Sequence, residues 1–218
     1  EFYYREERAM MEKIKSSWFD LTSNYTNDEA LTNTLWSELH KKYTHKNRHY
    51  HNLSHIESMF LQAENIKSHI EEFSTLLYAI WYHDIIYKST KKDNEEKSAL
   101  FARKSLKKLN FTENQIKNVE NLIISTKKHQ VILDKNSDNA YLLDFDLSIL
   151  GKDWETYKNY TQQVRQEYKI YPDFLYNPGR KKVLLHFLER ETLYFTESYK
   201  TQFENKAREN IKRELETL

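Results

Sequence analysis

Residues 73–87 read FSTLLYAIWYHDIIY. Apolar side chains fall on every side of a helix drawn through this stretch, which predicts a helix buried at the centre of a bundle. Toward the N-terminus, Leu53, Ile56, Phe60, Ala63, Ile66 and Ile70 recur at spacings of three and four, the stripe of an amphipathic helix. Toward the C-terminus, KDNEEKSALFARKSLKKL (92–109) opens with capping and acidic residues and ends basic, as a helix dipole favours. TENQIKNVENLIISTKKH (112–129) opens on a threonine and an acid, and SDNAYLLDFDLSILG (137–151) ends on a glycine suited to a helix C-terminus. Further helices are expected over 153–169, 178–197 and 198–216.

Glycine and proline number only two each in 218 residues. So few turn formers disfavour sandwiches, barrels and glycine-rich nucleotide folds and favour long helices. The expectation is an all-α protein, one helical bundle over residues 1–218, with Tyr171-Pro172 and Asn177-Pro178-Gly179 marking its irregular stretch. Sixteen tyrosines predict a core whose phenol groups need polar partners. Thirty-four basic against thirty-three acidic residues leave a formal charge of +1, which offers no polybasic footprint for nucleic acid or membrane. The lack of cysteine excludes disulfides, thiolate metal sites and cysteine nucleophiles, and suits a reducing compartment. No apolar run approaches the roughly 20 residues of a bilayer span. The opening EFYYREERAMMEKIK carries charge where a secretory leader is apolar. These features predict a soluble, cytoplasmic protein in which the residues before Met10 are a cloning remnant.

Charged residues inside apolar helices are the informative exceptions, because an unpaired buried charge is costly. His83 and Asp84 interrupt the most hydrophobic stretch, and Asp144 and Asp146 interrupt AYLLDFDLSIL. Carboxylates two apart cannot share one helix face, so the two aspartates should have different roles. In RHYHNLSHI (48–56), His51 and His55 stand four apart where a helix begins. Each segment alone has an ordinary explanation: a satisfied polar pair, a buried cap, a wet helix start. Together they bring imidazole and carboxylate groups from three helices, a donor set suited to divalent Mn, Fe, Co, Ni or Zn. A cation would neutralise the carboxylates that apolar surroundings penalise.

At these residues the chain resembles the HD superfamily of metal-dependent phosphohydrolases, whose pattern is an early His, an adjacent His-Asp and a late Asp on an all-α bundle. The resemblance extends over RHYHNLSHI, YHDIIY, DNEEKSA, DFDLSILG, VRQEY and GR before an aliphatic run, the set found in a subgroup of small bacterial predicted phosphohydrolases. It implies a single HD-type domain with His55, His83, Asp84 and Asp146 as metal ligands. Asp146 is favoured over Asp144 because Leu-Ser follows it. The local YHNLSH is similar to the YHNxxH signature of cyclic-nucleotide phosphodiesterases, which would make His51 the general acid. Those enzymes have another histidine four positions after the doublet's; here it is Tyr87.

The implied function is phosphohydrolase action on a small phosphorylated substrate, most plausibly a nucleotide, by attack of a hydroxide on a bound divalent ion (Mg added to the metals above). Asp84 or Asp146 would orient the nucleophile and His51 would protonate the leaving oxygen, its ordinary pKa of about 6.5 lying near working pH. Glu95 or Glu96 could position water or a second ion. His129 is a candidate second-metal or phosphate contact. Lys128, Arg48, Arg165 and Arg180 are candidate substrate contacts, guanidinium suiting oxyanions. His45, His49, His69 and His186 read as structural or surface residues. Two alternatives are phosphodiester cleavage, including of cyclic nucleotides, and a non-catalytic module that binds metal and nucleotide.

Overall fold

The computed structural model describes the backbone of residues 2–133 and 137–218, with side chains from residue 8 onward. The side chains of residues 1–7, in the segment expected to be a cloning remnant, lie outside that set. Among the described residues there are ten α-helices, two short 3₁₀ turns and no strand. The helices are α1 (Phe2–Ser23), α2 (Glu29–Tyr43), α3 (Leu53–Asn65), α4 (Phe73–Tyr82), α5 (Asn94–Lys108), α6 (Glu113–Ser125), α7 (Ser137–Leu147), α8 (Trp154–Glu167), α9 (Asp173–Glu189) and α10 (Glu197–Leu215). The all-α expectation is met.

α4 is the central helix. Every residue from Thr75 to Tyr82 is buried, and α3, α5, α6 and α7 pack around it. Trp18 of α1 meets Tyr78, Trp81 and Tyr82 edge-on, a geometry aromatic quadrupoles favour. Three buried phenols find polar partners: Tyr43 donates to the Trp81 carbonyl, Tyr194 to the Leu147 carbonyl and Tyr199 to Gln62, whereas the hydroxyls of Tyr78 and Tyr82 on α4 meet no hydrogen-bond partner among the described residues.

Several boundaries differ from the sequence reading. α4 stops at Tyr82, so His83 and Asp84 do not interrupt a helix; they form the turn that ends it. α6 ends at Ser125, four residues before His129. The stretch around Pro178 and Gly179 is helical, inside α9. Pro172 supplies an extended N-cap (φ −66°, ψ 159°), and the helix bond that Pro178 cannot donate would have gone to Phe174, whose side chain is 75% exposed. Gly151 closes a 3₁₀ turn, and its need is spatial: a Cβ there would stand 2.5 Å from Phe203 Cβ on α10. No helix is long and apolar enough to cross a membrane among the described residues.

Candidate metal centre

The end of α4 positions the doublet. His83 is 1% exposed, and its Nδ1–H donates to the Ile80 carbonyl at 2.8 Å. That bond fixes the tautomer and leaves Nε2 as the bare donor atom. Nε2 lies 3.0 Å from Asp84 Oδ2 and 3.2 Å from His55 Nε2. One donor atom from each of His55, His83 and Asp84 falls within 4.8 Å of the other two, so this buried trio could hold a metal ion. Asp146 approaches from α7, its Oδ1 3.2 Å from His55 Nε2 and 3.8 Å from His83 Nε2. Donors about 2.1 Å from one ion stand about 3.0 Å apart at adjacent octahedral corners and about 3.4 Å apart at tetrahedral ones. Three of the separations here, 3.0, 3.2 and 3.2 Å, fall in that range, and two, 3.8 and 3.9 Å, are wider. Imidazole nitrogen and carboxylate oxygen are also the right chemistry for a divalent transition ion.

The electrostatics agree. Burial works against the charged forms of Asp84 and Asp146, yet the imidazoles beside them outweigh it and hold both carboxyls well below the usual range. Burial likewise opposes charge on His83, but Asp84 prevails and pushes that pKa up to about 9. Without a cation the cluster thus keeps a proton on His83, which an ion would displace.

The two aspartates of DFDLSIL divide as their spacing requires. Asp144, fully buried, accepts the main-chain N–H groups of Phe195 and Thr196 and the Thr196 hydroxyl, which ties the chain just before α10 to α7. Asp146 faces the imidazoles, and its Oδ2 lies 3.0 Å from His129 Nε2. His129 has φ 46°, the left-handed region. Gln130 N–H donates back to Ser125 and His129 N–H to Thr126, which puts His129 at the helix-ending position normally held by glycine. Arg190 donates to the carbonyls of Lys128 and His129 and so fastens this turn.

His51 reaches the same cavity by a route the i, i+4 spacing did not anticipate. Asn52, not His51, caps α3, accepting from Ser54 and His55 N–H. His51 therefore precedes the helix, and it is held by Glu167 at the end of α8. Glu167 Oε1 accepts the N–H groups of His49, Tyr50 and His51 at 2.9, 2.9 and 3.0 Å, while Oε2 takes His51 Nδ1–H at 2.6 Å. Burial opposes charge on His51, but Asp84 and the Glu167 bond raise its pKa above the ordinary value. Sequence reasoning passed over Glu167; its signal was the VRQEY segment, where the neighbouring Arg165 drew the attention instead.

A cavity of about 710 Å³ opens over the cluster, lined among others by His51, Asp84, Glu95, Lys128, His129 and Asp146. Burial, and beyond it the charge of Asp84, raises the pKa of Glu95 at its edge. Glu96 turns away to pair with Lys127. Arg180 lines the wall but is held bidentately by Glu214 at 2.7 and 3.0 Å. Arg48 and Arg165, expected to clamp phosphate, have other partners and do not line this cavity. Arg48 donates to the carbonyls of His51, Asp84 and Ile85, and so ties the two ligand-bearing turns together from behind. Arg165 is occupied by Asp173 and the carbonyls of Tyr168 and Tyr171. His186, read as a surface residue, is exposed but stands at the cavity mouth. No family model, curated protein or solved structure matches the chain.

Proposed function

We propose that the protein is a divalent-metal-dependent phosphohydrolase acting on a small phosphorylated compound, of the kind the HD resemblance implies. One observation carries this reading: donor atoms of His55, His83 and Asp84 lie within 4.8 Å of one another, Asp146 Oδ1 stands 3.2 Å from His55 Nε2, and Asp84, Asp146 and His51 line one cavity. Those four residues would hold the ion, which when bound acidifies water and polarises a phosphoryl oxygen.

The chain's own groups supply the rest. His51, with its Nδ1–H committed to Glu167, presents Nε2 as the nitrogen that delivers a proton to the leaving oxygen. Glu95, its pKa raised by burial, is placed to take a proton from water. Tyr50, Tyr160 and Tyr168 line the wall and restrict solvent around the reacting group, offering flat faces to a base or other ring. Lys128 and Lys182 at the mouth attract a phosphorylated ligand. Arg48 and Arg165 are not part of this reading, because their guanidinium groups serve the backbone.

The test is metal analysis of purified protein reconstituted with Mn, Co, Ni or Zn, followed by phosphate release from nucleoside mono-, di- and cyclic phosphates. A stoichiometric ion and release abolished by His83→Ala are expected. Absence of a bound ion after every reconstitution overturns the proposal.

A further inference from the structure

A second cavity, of about 600 Å³, lies behind the metal centre where the C-terminal ends of α2 and α8 meet the turn after α4. Lys41, Lys42, Lys88 and Lys169 ring it. None of these four ammonium groups has a carboxylate partner among the described residues. The sole acid in the lining is Glu167, whose oxygens are taken by three main-chain N–H groups and the His51 ring. Ile86, Tyr87 and Ile170 form an apolar part of the wall, with Ile170 68% exposed.

Helix dipoles explain some of this charge, since a lysine near a helix C-terminus is stabilised there. Lys41 and Lys42 sit in the last turn of α2, and Lys169 follows the end of α8. That account does not reach Lys88, which lies in a loop six residues past the end of α4, yet joins the same ring. Nor does it explain why the cations enclose a concavity. Four ammonium groups without a carboxylate partner among the described residues, one of them (Lys42) 5.9 Å above the Phe101 ring, repel each other around one small cavity, and an anion with several charges relieves this.

We infer that this cavity is a separate binding site for a small molecule carrying two or more phosphates, distinct from the metal centre in its recognition chemistry. Lysine is apt because a flexible point charge follows phosphate oxygens without fixed geometry. The apolar wall suits a base or other flat group attached to the phosphates. The cavity's size fits a small ligand, and the near-zero net charge of the chain argues against a nucleic acid.

The two cavities share a wall. Tyr87 lines both, and its ring stacks on His51 with centroids 4.1 Å apart and planes 24° from parallel. Arg48 also lines the rear cavity while donating to the carbonyls of His51 and Asp84. An occupant therefore touches two side chains in direct contact with the proposed acid, and site occupancy is felt at the metal centre through them.

The site is tested without hydrolysis, by calorimetric titration of the 218-residue chain in EDTA, with inorganic triphosphate and with ADP as separate probes. The inference does not depend on catalysis, so it survives failure of the phosphohydrolase reading. Lys88→Glu/Lys169→Glu alters the rear cavity and Lys128→Glu/Lys182→Glu the front one. All four lysines are exposed, and circular dichroism verifies folding; Lys88→Ala/Lys169→Ala serves where charge reversal disturbs it. One rear site per chain is expected, weakened at least tenfold by the rear double variant and within twofold of wild type in the front one. Binding of both probes there supports the site with nucleotide as ligand, and binding of triphosphate alone supports it with a plain polyphosphate. No binding by either probe, loss confined to the front variant, or affinity indifferent to the rear one overturns the inference.

Discussion

The carboxylate of Glu167 holds His51 by ring and backbone at once, with Oε2 on Nδ1 at 2.6 Å and Oε1 on the His51 N–H at 3.0 Å. A residue 116 positions downstream thus sets both the tautomer and the aim of the proposed acid. Removing its charge should act on the proton and spare the ion. Glu167→Gln should retain metal, lower kcat about 10- to 100-fold, and leave KM little changed. His51 must be protonated to serve as an acid, and Glu167 raises its pKa. The alkaline limb of the rate profile should therefore move to lower pH in the variant, which a kcat–pH series measures.

The same carboxylate predicts a pH dependence of stability. Burial would raise the Glu167 pKa, but the His51 bond and the main-chain donors outweigh it and hold it at about 2. A carboxyl lowered on folding contributes fully above its unfolded pKa, and that contribution fades as pH falls through its folded value. The window is about pH 4.5 down to 2, and the contribution is at most about 3 kcal/mol. Denaturant unfolding across that range should show wild type losing stability faster than Glu167→Gln.

Asp144 and Asp146 should differ in metal binding. Asp144→Asn weakens three hydrogen bonds at the start of α10 and should cost about 1–3 kcal/mol while leaving metal content unchanged. Asp146→Asn should reduce ion affinity at least tenfold and also lower the metal-free melting temperature, because the imidazoles that hold its carboxyl below the usual range lose their counter-charge. Metal analysis paired with thermal melts distinguishes the two.

His129 should invert the usual preference for alanine over glycine. Its φ of 46° costs a side chain energy that glycine escapes. Both His129→Gly and His129→Ala lose the contact to Asp146, yet the glycine variant should be more stable than the alanine one by about 1 kcal/mol. Urea denaturation of the pair measures the difference.

The donor residues were legible because histidine and aspartate within apolar runs advertise their chemistry wherever the backbone goes. His83 and Asp84 stood out as misfits in a helix, and the reason they can converge is that the helix ends there. Glu167 was not legible: in VRQEY it resembles any acid on a charged surface helix, and its role depends on a contact across 116 residues. The arginines misled for a related reason. A sequence displays guanidinium groups but not the carbonyls bared where chains turn, and those carbonyls took Arg48 and Arg165. Around α9 the prolines were read as punctuation, whereas one precedes the helix and the other leaves its missing bond on the solvent side.

The bidentate grip of Glu214 on Arg180 makes that stretch of the front cavity's wall electrically self-contained. A visitor with a single negative charge meets a cation already satisfied by a carboxylate anchored on another helix. With the two side chains only 9% and 6% exposed, an incoming anion would have to displace a buried carboxylate to reach that guanidinium, so this part of the wall keeps its shape and withholds its charge.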